Sequence, residues 1–394
     1  MNKIGSKKQL NLGIVMQSPD LGGAETYMLS LVENFLKADS KVFIASNKGK
    51  FFDRAKKFPV KTTEIPFIFD IIGNYRGLIK SILFLPYALL FYSKLLRTYK
   101  KNHVGVILMS GYSEKLLVTW IASFFDIPVV WIEYGPLQTV FNKLMKFPKV
   151  AYRLTKHLPA AVIVPTRNTQ QSLITDARVS LAKLHIIPCG TKVVNKQKST
   201  KKALIPEWSN CIVIGNISRQ TREKGQDILI KAMPYVIKKA PLARLLIVGD
   251  GPDLNYYRQL VTNLGLEKYV YFTGFVKDTQ RYYDSMDLFV FPTVWDMEGF
   301  GVVLIEAMMH RLPTVGSEMG PVPEIIDDQK SGLLFKTGDE KELAKAVISL
   351  YKDSKKRELF AENGYKKALK NYNIVTISKR IIGILTDATY TNVT

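Results

Sequence analysis

Short apolar, β-branched runs alternate with longer amphipathic runs along this chain, and the alternation restarts after an interruption near its middle. Strands buried on both faces read as near-continuous apolar runs, and returning to pair in parallel takes a crossover long enough to hold a helix. The pattern therefore specifies parallel α/β sheets. In the first half the expected strands are Leu12–Gln17, Val42–Ser46, Val104–Met109, Val129–Ile132, Ala161–Val164 and His185–Ile187, with helices such as Ala24–Leu36, Leu78–Tyr99 and Lys115–Phe125 between them. The segment Lys192 to Glu207, rich in Lys, Ser and Thr with Pro206, reads as a linker. Expected strands then resume at Ile212–Ile217, Arg244–Val248, Val270–Thr273 and Leu288–Phe291. Helices follow at Gly225–Lys239, Leu254–Leu264, Thr279–Ser285 and Val303–His310, and a last amphipathic helix spans Ile374–Leu385. A chain of 394 residues is long enough for two such units, each with its own core.

One run concentrates chemistry: Asp296-Met297-Glu298-Gly299-Phe300-Gly301-Val302-Val303-Leu304-Ile305-Glu306. Glu298 falls in a Gly-rich turn after the apolar strand ending at Phe291. Glu306 falls inside the following helix, among apolar residues where a carboxylate is costly to bury without a partner. Between them, free N–H groups at a helix N-terminus make an anion site. A phosphate held there has a carboxylate on either side able to accept from hydroxyls, which suits a nucleotide sugar. The plainer reading makes Glu298 an acid favoured by the helix dipole and Glu306 a satisfied surface residue.

The neighbours of this run decide between them. It resembles the two-glutamate motif of the retaining family 4, group 1 glycosyltransferases, and the resemblance extends in order over most of the chain. It implies a GT-B fold, two Rossmann-like parallel-sheet domains facing a central cleft. The domains expected are 1–195 on the acceptor side and 196–373 binding the nucleotide sugar, with 374–394 crossing back to the first. Gly215-Asn216-Ile217-Ser218-Arg219 and Lys224-Gly225 resemble the family's Arg and Lys segment, which implies that Arg219 and Lys224 grip the diphosphate. The same resemblance puts Glu298 beside the transferred sugar, and it assigns Glu306 to the ribose hydroxyls. The amides of Gly299, Phe300, Gly301, Val302 and Val303 fall to the phosphates. Val248-Gly249-Asp250-Gly251 matches the nucleotide-cleft turn, and Gly274-Phe275-Val276 the loop beside the base, although Phe275 reads equally as a core aromatic. In Leu21-Gly22-Gly23-Ala24-Glu25 it implies that Gly22 and Gly23 let the backbone approach the diphosphate. Gly320-Pro321-Val322-Pro323-Glu324 resembles a later Gly-rich segment near the cleft.

The chain departs from the family pattern in three places. Counting from Pro128, Tyr134 stands where many relatives carry a His, leaving Glu133 or Tyr134 to contact the sugar. Arg311 stands where Gly is common, and Cys189-Gly190-Thr191-Lys192 where Asn-Gly-x-Asp is usual. No Asp-x-Asp and no P-loop occurs, and the four His are scattered, so no metal or other cofactor is expected beyond the nucleotide-diphosphate sugar co-substrate. The expected activity is metal-independent, retaining hexosyl transfer from a UDP- or GDP-sugar to a glycan, lipid-linked or protein acceptor, in cell-envelope, polysaccharide or glycoconjugate biosynthesis. An epimerase or phosphorylase on the same fold is the alternative, followed by a basic nucleic-acid-binding protein; the basic charge comes without a recognition motif, so no nucleic acid is expected as a partner.

Charge adds a location. Residues 1–200 carry 29 Lys and Arg against 11 Asp and Glu, and residues 201–394 carry 27 against 23. So lopsided a basic half suggests an anionic partner surface. The helix Leu78–Tyr99 is apolar and aromatic from Ile82 to Tyr92, with Lys80, Lys94, Arg97, Lys100 and Lys101 around it. It reads either as a core-packing helix or as one that docks on an anionic membrane. Its apolar run, broken by Pro86, falls short of the roughly 18 residues of a membrane span. Two cysteines give no disulfide framework, and Leu12–Met16 is too short for a signal-peptide core. The expectation is a cytoplasmic protein, which on the second reading of that helix is peripheral on the cytoplasmic face of the membrane.

Overall fold

The computed structural model describes residues 9–194 and 204–390. The middle of the expected linker, 195–203, and the N-terminal Lys3, Lys7 and Lys8 lie outside the described residues. The chain divides into two compact units, one of Met1–Cys189 with Ile374–Thr394 and the other of Gly190–Asn373. Each is a parallel α/β sheet, as the alternation requires.

The first unit has seven strands: β1 (Asn11–Val15), β2 (Lys41–Ser46), β3 (Lys61–Glu64), β4 (Val106–Met109), β5 (Val129–Ile132), β6 (Ala161–Val164) and β7 (Leu184–Ile186), in the spatial order β3-β2-β1-β4-β5-β6-β7. The second has β8 (Ile212–Ile217), β9 (Ala243–Val248), β10 (Val270–Phe272), β11 (Leu288–Phe291), β12 (Thr314–Ser317) and β13 (Gly332–Phe335), ordered β10-β9-β8-β11-β12-β13. In both sheets the order reverses between the first strand and its later neighbour, β1 beside β4 and β8 beside β11. Crevices at the C-terminal ends of such strands are where doubly wound sheets bind ligands.

Strands β3, β12 and β13 carry no strong sequence signal. β3 is the polar edge run Lys-Thr-Thr-Glu, and β12 holds Gly316, where a Cβ would come within 2.4 Å of Val322. The expected single helix Leu78–Tyr99 is corrected: two helices, Tyr75–Leu83 and Leu85–Lys101, meet at a 64° bend at Phe84. Pro86 explains the break, because it offers no N–H to the preceding turn and crowds the carbonyl four residues back. The second of these helices buries Ala88, Tyr92, Leu95, Leu96 and Tyr99, while Leu83 and Leu90 are each 73% exposed.

The helix Ile374–Tyr390 belongs to the first unit. It packs against the helix Gly23–Lys37, β4 and β5, burying Ile374, Ile377, Ile381, Leu385 and Ala388 at helical spacing. Arg311 takes φ +54°, a left-handed conformation that favours Gly. Its guanidinium lies 3.6 Å over the Tyr365 ring and its Nε donates to Glu362 at 3.2 Å, contacts that offset the strain.

Candidate active site

In the second unit the turn after β8 carries Arg219 and Lys224, and two neighbouring turns fix its path. A Cβ on Gly249 would come within 2.1 Å of the Ser218 carbonyl oxygen, and one on Gly251 within 2.3 Å of that of Gln220. These glycines therefore let the turn after β9 press against the turn after β8, which the backbone bonds Gln220 N to Asp250 O (3.0 Å) and Asp253 N to Gln220 O (3.1 Å) hold in place. Gln226, wholly buried, donates through Nε2 to Ser218 Oγ (2.7 Å) and to the Arg219 carbonyl (2.9 Å), fixing the backbone that presents the exposed Arg219 guanidinium.

The same turn is fastened to the segment after β11. Gly225 at φ +70° sits so close that a Cβ would meet the Pro292 carbonyl oxygen at 2.0 Å, while Val294 N (2.9 Å) and Thr293 Oγ1 (3.1 Å) both donate to the Glu223 carbonyl. Lys224 thus reaches Glu298: Nζ donates to Oε2 at 2.6 Å, with side-chain exposures of 19% and 9%. The ammonium also stands 5.3 Å from the Trp295 ring centre, and Thr293 Oγ1 is 3.4 Å from the same carboxylate oxygen. Glu298 is no solvated helix-dipole acid. It forms half of a largely desolvated, charge-assisted pair.

Gly301, at φ +82° with the Phe291 ring 3.1 Å from any added Cβ, starts the helix Val302–Met309. The first amides of that helix have no intrahelical acceptor and face an anion favourably. One turn on, Glu306 Oε2 accepts from the Tyr283 hydroxyl at 2.9 Å. Burial raises the Glu306 carboxyl above the usual range, with the Tyr283 hydrogen bond opposing it. The plain surface reading of Glu306 fails with that burial. The Phe300 side chain, only 5% exposed, packs edge-on against Tyr372 at 5.6 Å, so what it offers a ligand is its backbone amide, as expected of it. Phe275 is 79% exposed, so it is not a core aromatic; with the half-buried Val276 it follows Gly274, whose carbonyl accepts from Gly249 N at 3.1 Å. The chain after β12 also closes on this region: a Cβ on Gly320, at φ +53°, would lie 3.6 Å from the Glu298 Cβ.

The structure thus gathers Arg219, Lys224, Glu298, Glu306 and the Gly299–Val303 amides on one sheet edge. Gln226, Tyr283, Thr293 and Trp295, which hold them, were not singled out from sequence; Asn216, whose Oδ1 accepts from Ser218 Oγ at 3.0 Å, and Ser218 entered only as part of the Arg219 segment. Only a polar residue directly after Lys224-Gly225 could have drawn notice to Gln226. Among the described residues no group of three His, Cys, Asp or Glu is placed to hold a metal ion.

In the first unit Gly22 and Gly23 are exposed at the start of the helix Gly23–Lys37. Glu25 folds back over them: Gly22 N donates to Oε2 at 2.8 Å and Ser18 Oγ to Oε1 at 2.8 Å. The Gly22 amide is therefore satisfied within the turn. Glu133 is corrected as an acceptor contact. It is 3% exposed and pairs with the fully buried Lys115, and it accepts from the Tyr152 hydroxyl at 2.8 Å. The Lys115 ammonium is enclosed by the Tyr112, Trp131 and Tyr152 rings at 5.5, 5.1 and 5.6 Å. This group faces the core. Tyr134, by contrast, is half-buried, meets Tyr27 edge-on at 6.0 Å, and has its phenol pushed up by burial, with Cys189 and Glu25 near it. It stays beside the Gly22-Gly23 turn. Burial pushes the Cys189 thiol up to about 12, which keeps it inert.

Glu114, not foreseen, is 3% exposed at the β1–β4 crevice, where its Oε1 accepts from Gln17 N at 2.9 Å. Burial raises its carboxyl to about 7, assisted by Asp70 and opposed by hydrogen bonds and Lys115.

Comparison with known proteins identifies these arrangements. The sequence model described as Glycosyl transferases group 1 matches residues 196–367, and that described as Glycosyltransferase Family 4 matches residues 21–193. The GDP-mannose-dependent alpha-(1-6)-phosphatidylinositol monomannoside mannosyltransferase of Mycolicibacterium smegmatis is 30% identical over 180 residues, 44% of this chain and 47% of that protein. The alpha-monoglucosyldiacylglycerol synthase of Streptococcus pneumoniae is 24% identical over 353 residues, 84% of this chain and 75% of that one. The crystal structure of Anabaena HepE in complex with UDP superposes with a TM-score of 0.78 at 24% identity, covering 96% of this chain and all of that one. With both of its halves matched in sequence and its two parallel-sheet units matched in fold, the chain belongs to the group 1 glycosyltransferases of family 4 and has the GT-B fold.

Proposed function

We propose that this glycosyltransferase moves a hexose from a UDP- or GDP-sugar to its acceptor without a metal ion and with retention of anomeric configuration. The observation that carries the reading is the Lys224–Glu298 pair beside the head of the helix Val302–Met309, with Arg219 exposed on the same edge. Cleavage of the sugar–phosphate bond leaves negative charge on the departing diphosphate. Lys224, Arg219 and the amides of Val302 and Val303 are groups that stabilise such charge most in the transition state. Glu298, fixed by Lys224, lies beside the sugar, and Glu306 accepts from the ribose hydroxyls. The acceptor hydroxyl attacks C1 on the face the diphosphate leaves. Its proton passes to the leaving phosphate oxygen, so no protein base is required where Tyr134 replaces the family's His.

For the donor, HepE has been crystallised with UDP-glucose and the mycobacterial relative is GDP-mannose-dependent. For the acceptor, one relative is named for a lipid substrate, a phosphatidylinositol monomannoside, and another for the glycolipid it makes, a monoglucosyldiacylglycerol. A lipid-linked or cell-envelope glycan acceptor at the cytoplasmic face of a membrane, met by the basic first unit, is the reading these support. The test is transfer from UDP-glucose and from GDP-mannose in EDTA, with the product linkage read by NMR. Full activity in EDTA and a product of the donor's own anomeric configuration are expected. A strict, restorable need for Mg²⁺ or Mn²⁺ overturns the metal-free mechanism, and an inverted product overturns retention.

A further inference from the structure

In the first unit the helices Tyr75–Leu83, Tyr112–Ser123 and Phe147–Thr155 leave an open groove of about 410 Å³. That lies within the roughly 300–1,000 Å³ of sites that take small molecules. Leu78, Ile82, Leu117, Phe147, Ala151 and Leu154 supply its apolar walls. The polar groups in its lining are already used. Ser81 Oγ accepts from Asp70 N at 2.7 Å and donates to Asp70 O at 3.0 Å; Thr155 Oγ1 donates to Ala151 O at 3.0 Å and accepts from Trp120 Nε1 at 3.0 Å. A ligand with hydroxyls or amides would leave them unpaired there, whereas hydrocarbon loses nothing.

The rim states what kind of hydrocarbon. Ile82, Leu83, Val150 and Leu154 are 59%, 73%, 54% and 62% exposed. Just before the third helix, Leu144, Met145 and Lys146 hold φ of 47°, 54° and 66° in succession, a strained run that leaves Met145 88% exposed. Left-handed runs of this kind persist where the surrounding structure enforces them, and they cluster at binding sites. Around these apolar groups the charge is mainly positive; the carboxylate of Asp70, between the lining residues Phe69 and Ile71, is taken up by the Ile72 and Gly73 amides at 2.9 Å each. Residues 71–113 hold six Lys or Arg and no Asp or Glu, and residues 134–160 hold five and none. Arg76, Lys80, Lys143 and Lys146 are exposed. An apolar slot within a mainly cationic rim complements a molecule with a hydrocarbon chain under an anionic head.

We propose that this groove takes one acyl chain of an anionic membrane lipid, with the rim cations on the lipid's phosphate, so that the first unit holds the bilayer by a chain as well as by charge. The inference rests on the membrane-facing reading of this unit and gives it a specific lipid site.

Trp120 lines the groove and is 42% exposed, so it reports occupancy. The full-length protein is titrated with lysophosphatidylglycerol brominated along its chain, kept below its micelle concentration so that no bilayer is needed. Saturable quenching is expected, absent in Trp120→Phe. It should weaken about tenfold or more both in Ala151→Phe, which fills the groove, and in Leu154→Glu, whose position is already exposed. Unchanged melting of the Leu154→Glu protein guards against a folding artefact. No saturable quenching, or quenching unmoved in both variants, overturns the groove. Vesicle co-sedimentation tests the parent reading separately: binding should need anionic lipid and weaken as salt rises. If vesicles bind but the single-chain lipid does not quench, docking stands and the lipid site falls. If quenching saturates without vesicle binding, the site stands and docking falls.

Discussion

Replacing Lys115 by Met should destabilise the first unit strongly, and replacing Glu133 as well should recover much of the loss. Lys115 is wholly buried and Glu133 is 3% exposed, so neither charge has water to fall back on. With Met at 115, the Glu133 carboxylate keeps only the Tyr152 hydroxyl at 2.8 Å. Removing one partner of such a buried pair costs about 3–5 kcal/mol, whereas replacing both by groups of similar volume is often close to neutral. Glu133→Gln should cost less than Lys115→Met, because the ammonium it leaves behind retains three aromatic faces within 5.6 Å. Urea unfolding followed by the fluorescence of the buried Trp131 reads this unit. With a slope of roughly 2–3 kcal/mol/M, Lys115→Met lowers the midpoint by about 1–2.5 M, and the double variant lies well above the sum of the singles. The acceptor KM of Glu133→Gln should be unchanged. A Lys115→Met protein within about 1 kcal/mol of the parent refutes the desolvation argument, as does strict additivity in the double variant. A raised acceptor KM would return Glu133 to the site.

Two further predictions concern the sites themselves. Arg219→Ala, at an exposed position, should leave melting unchanged while lowering kcat by about 10²-fold or more, and Lys224→Ala should lower kcat similarly; Glu306→Ala should act mainly on donor KM. Steady-state kinetics decides, and an unchanged kcat in Arg219→Ala refutes its assignment. Glu114 sets a pH dependence: its carboxyl, ordinarily at 4.5, titrates at about 7 in the folded chain. Between those values the folded state alone keeps the proton, so its contribution is full below 4.5 and is lost as pH rises toward 7, in all by roughly 3 kcal/mol. Glu114→Gln retains an acceptor for the Gln17 amide, so it should flatten that slope and stabilise the first unit at pH 8. An identical slope in the variant, measured by urea midpoints from pH 4.5 to 8, rules the assignment out.

What the sequence made legible was periodic or glycine-marked. Continuous apolar runs such as Leu288–Phe291 and Ile212–Ile217 specify central strands because both faces are covered, and their order follows from short right-handed crossovers. Edge strand β3 is polar and half-exposed, so nothing in its composition distinguishes it from a loop. The carboxylates Glu298 and Glu306 stood out because each sits among apolar neighbours. Their pairings did not: Lys224, marked for the diphosphate, lies 74 residues from Glu298, and Tyr283, unmarked, lies 23 from Glu306, and no local pattern joins them. Glu133 misled for the same reason. At the end of an apolar strand it reads as a crevice residue, and only Lys115, 18 residues earlier, turns it into the core.

The helix Ile374–Tyr390 places a constraint on biogenesis. The first unit needs that helix against Gly23–Lys37, β4 and β5 to cover its sheet, yet the ribosome supplies it after the whole of the second unit. Domains that are continuous in sequence can fold as they emerge. Here the inserted second unit can mature first, while the seven-stranded sheet waits with an apolar strip open. A nascent chain stalled near residue 373 should therefore engage chaperones through its earlier half, the half made first and finished last.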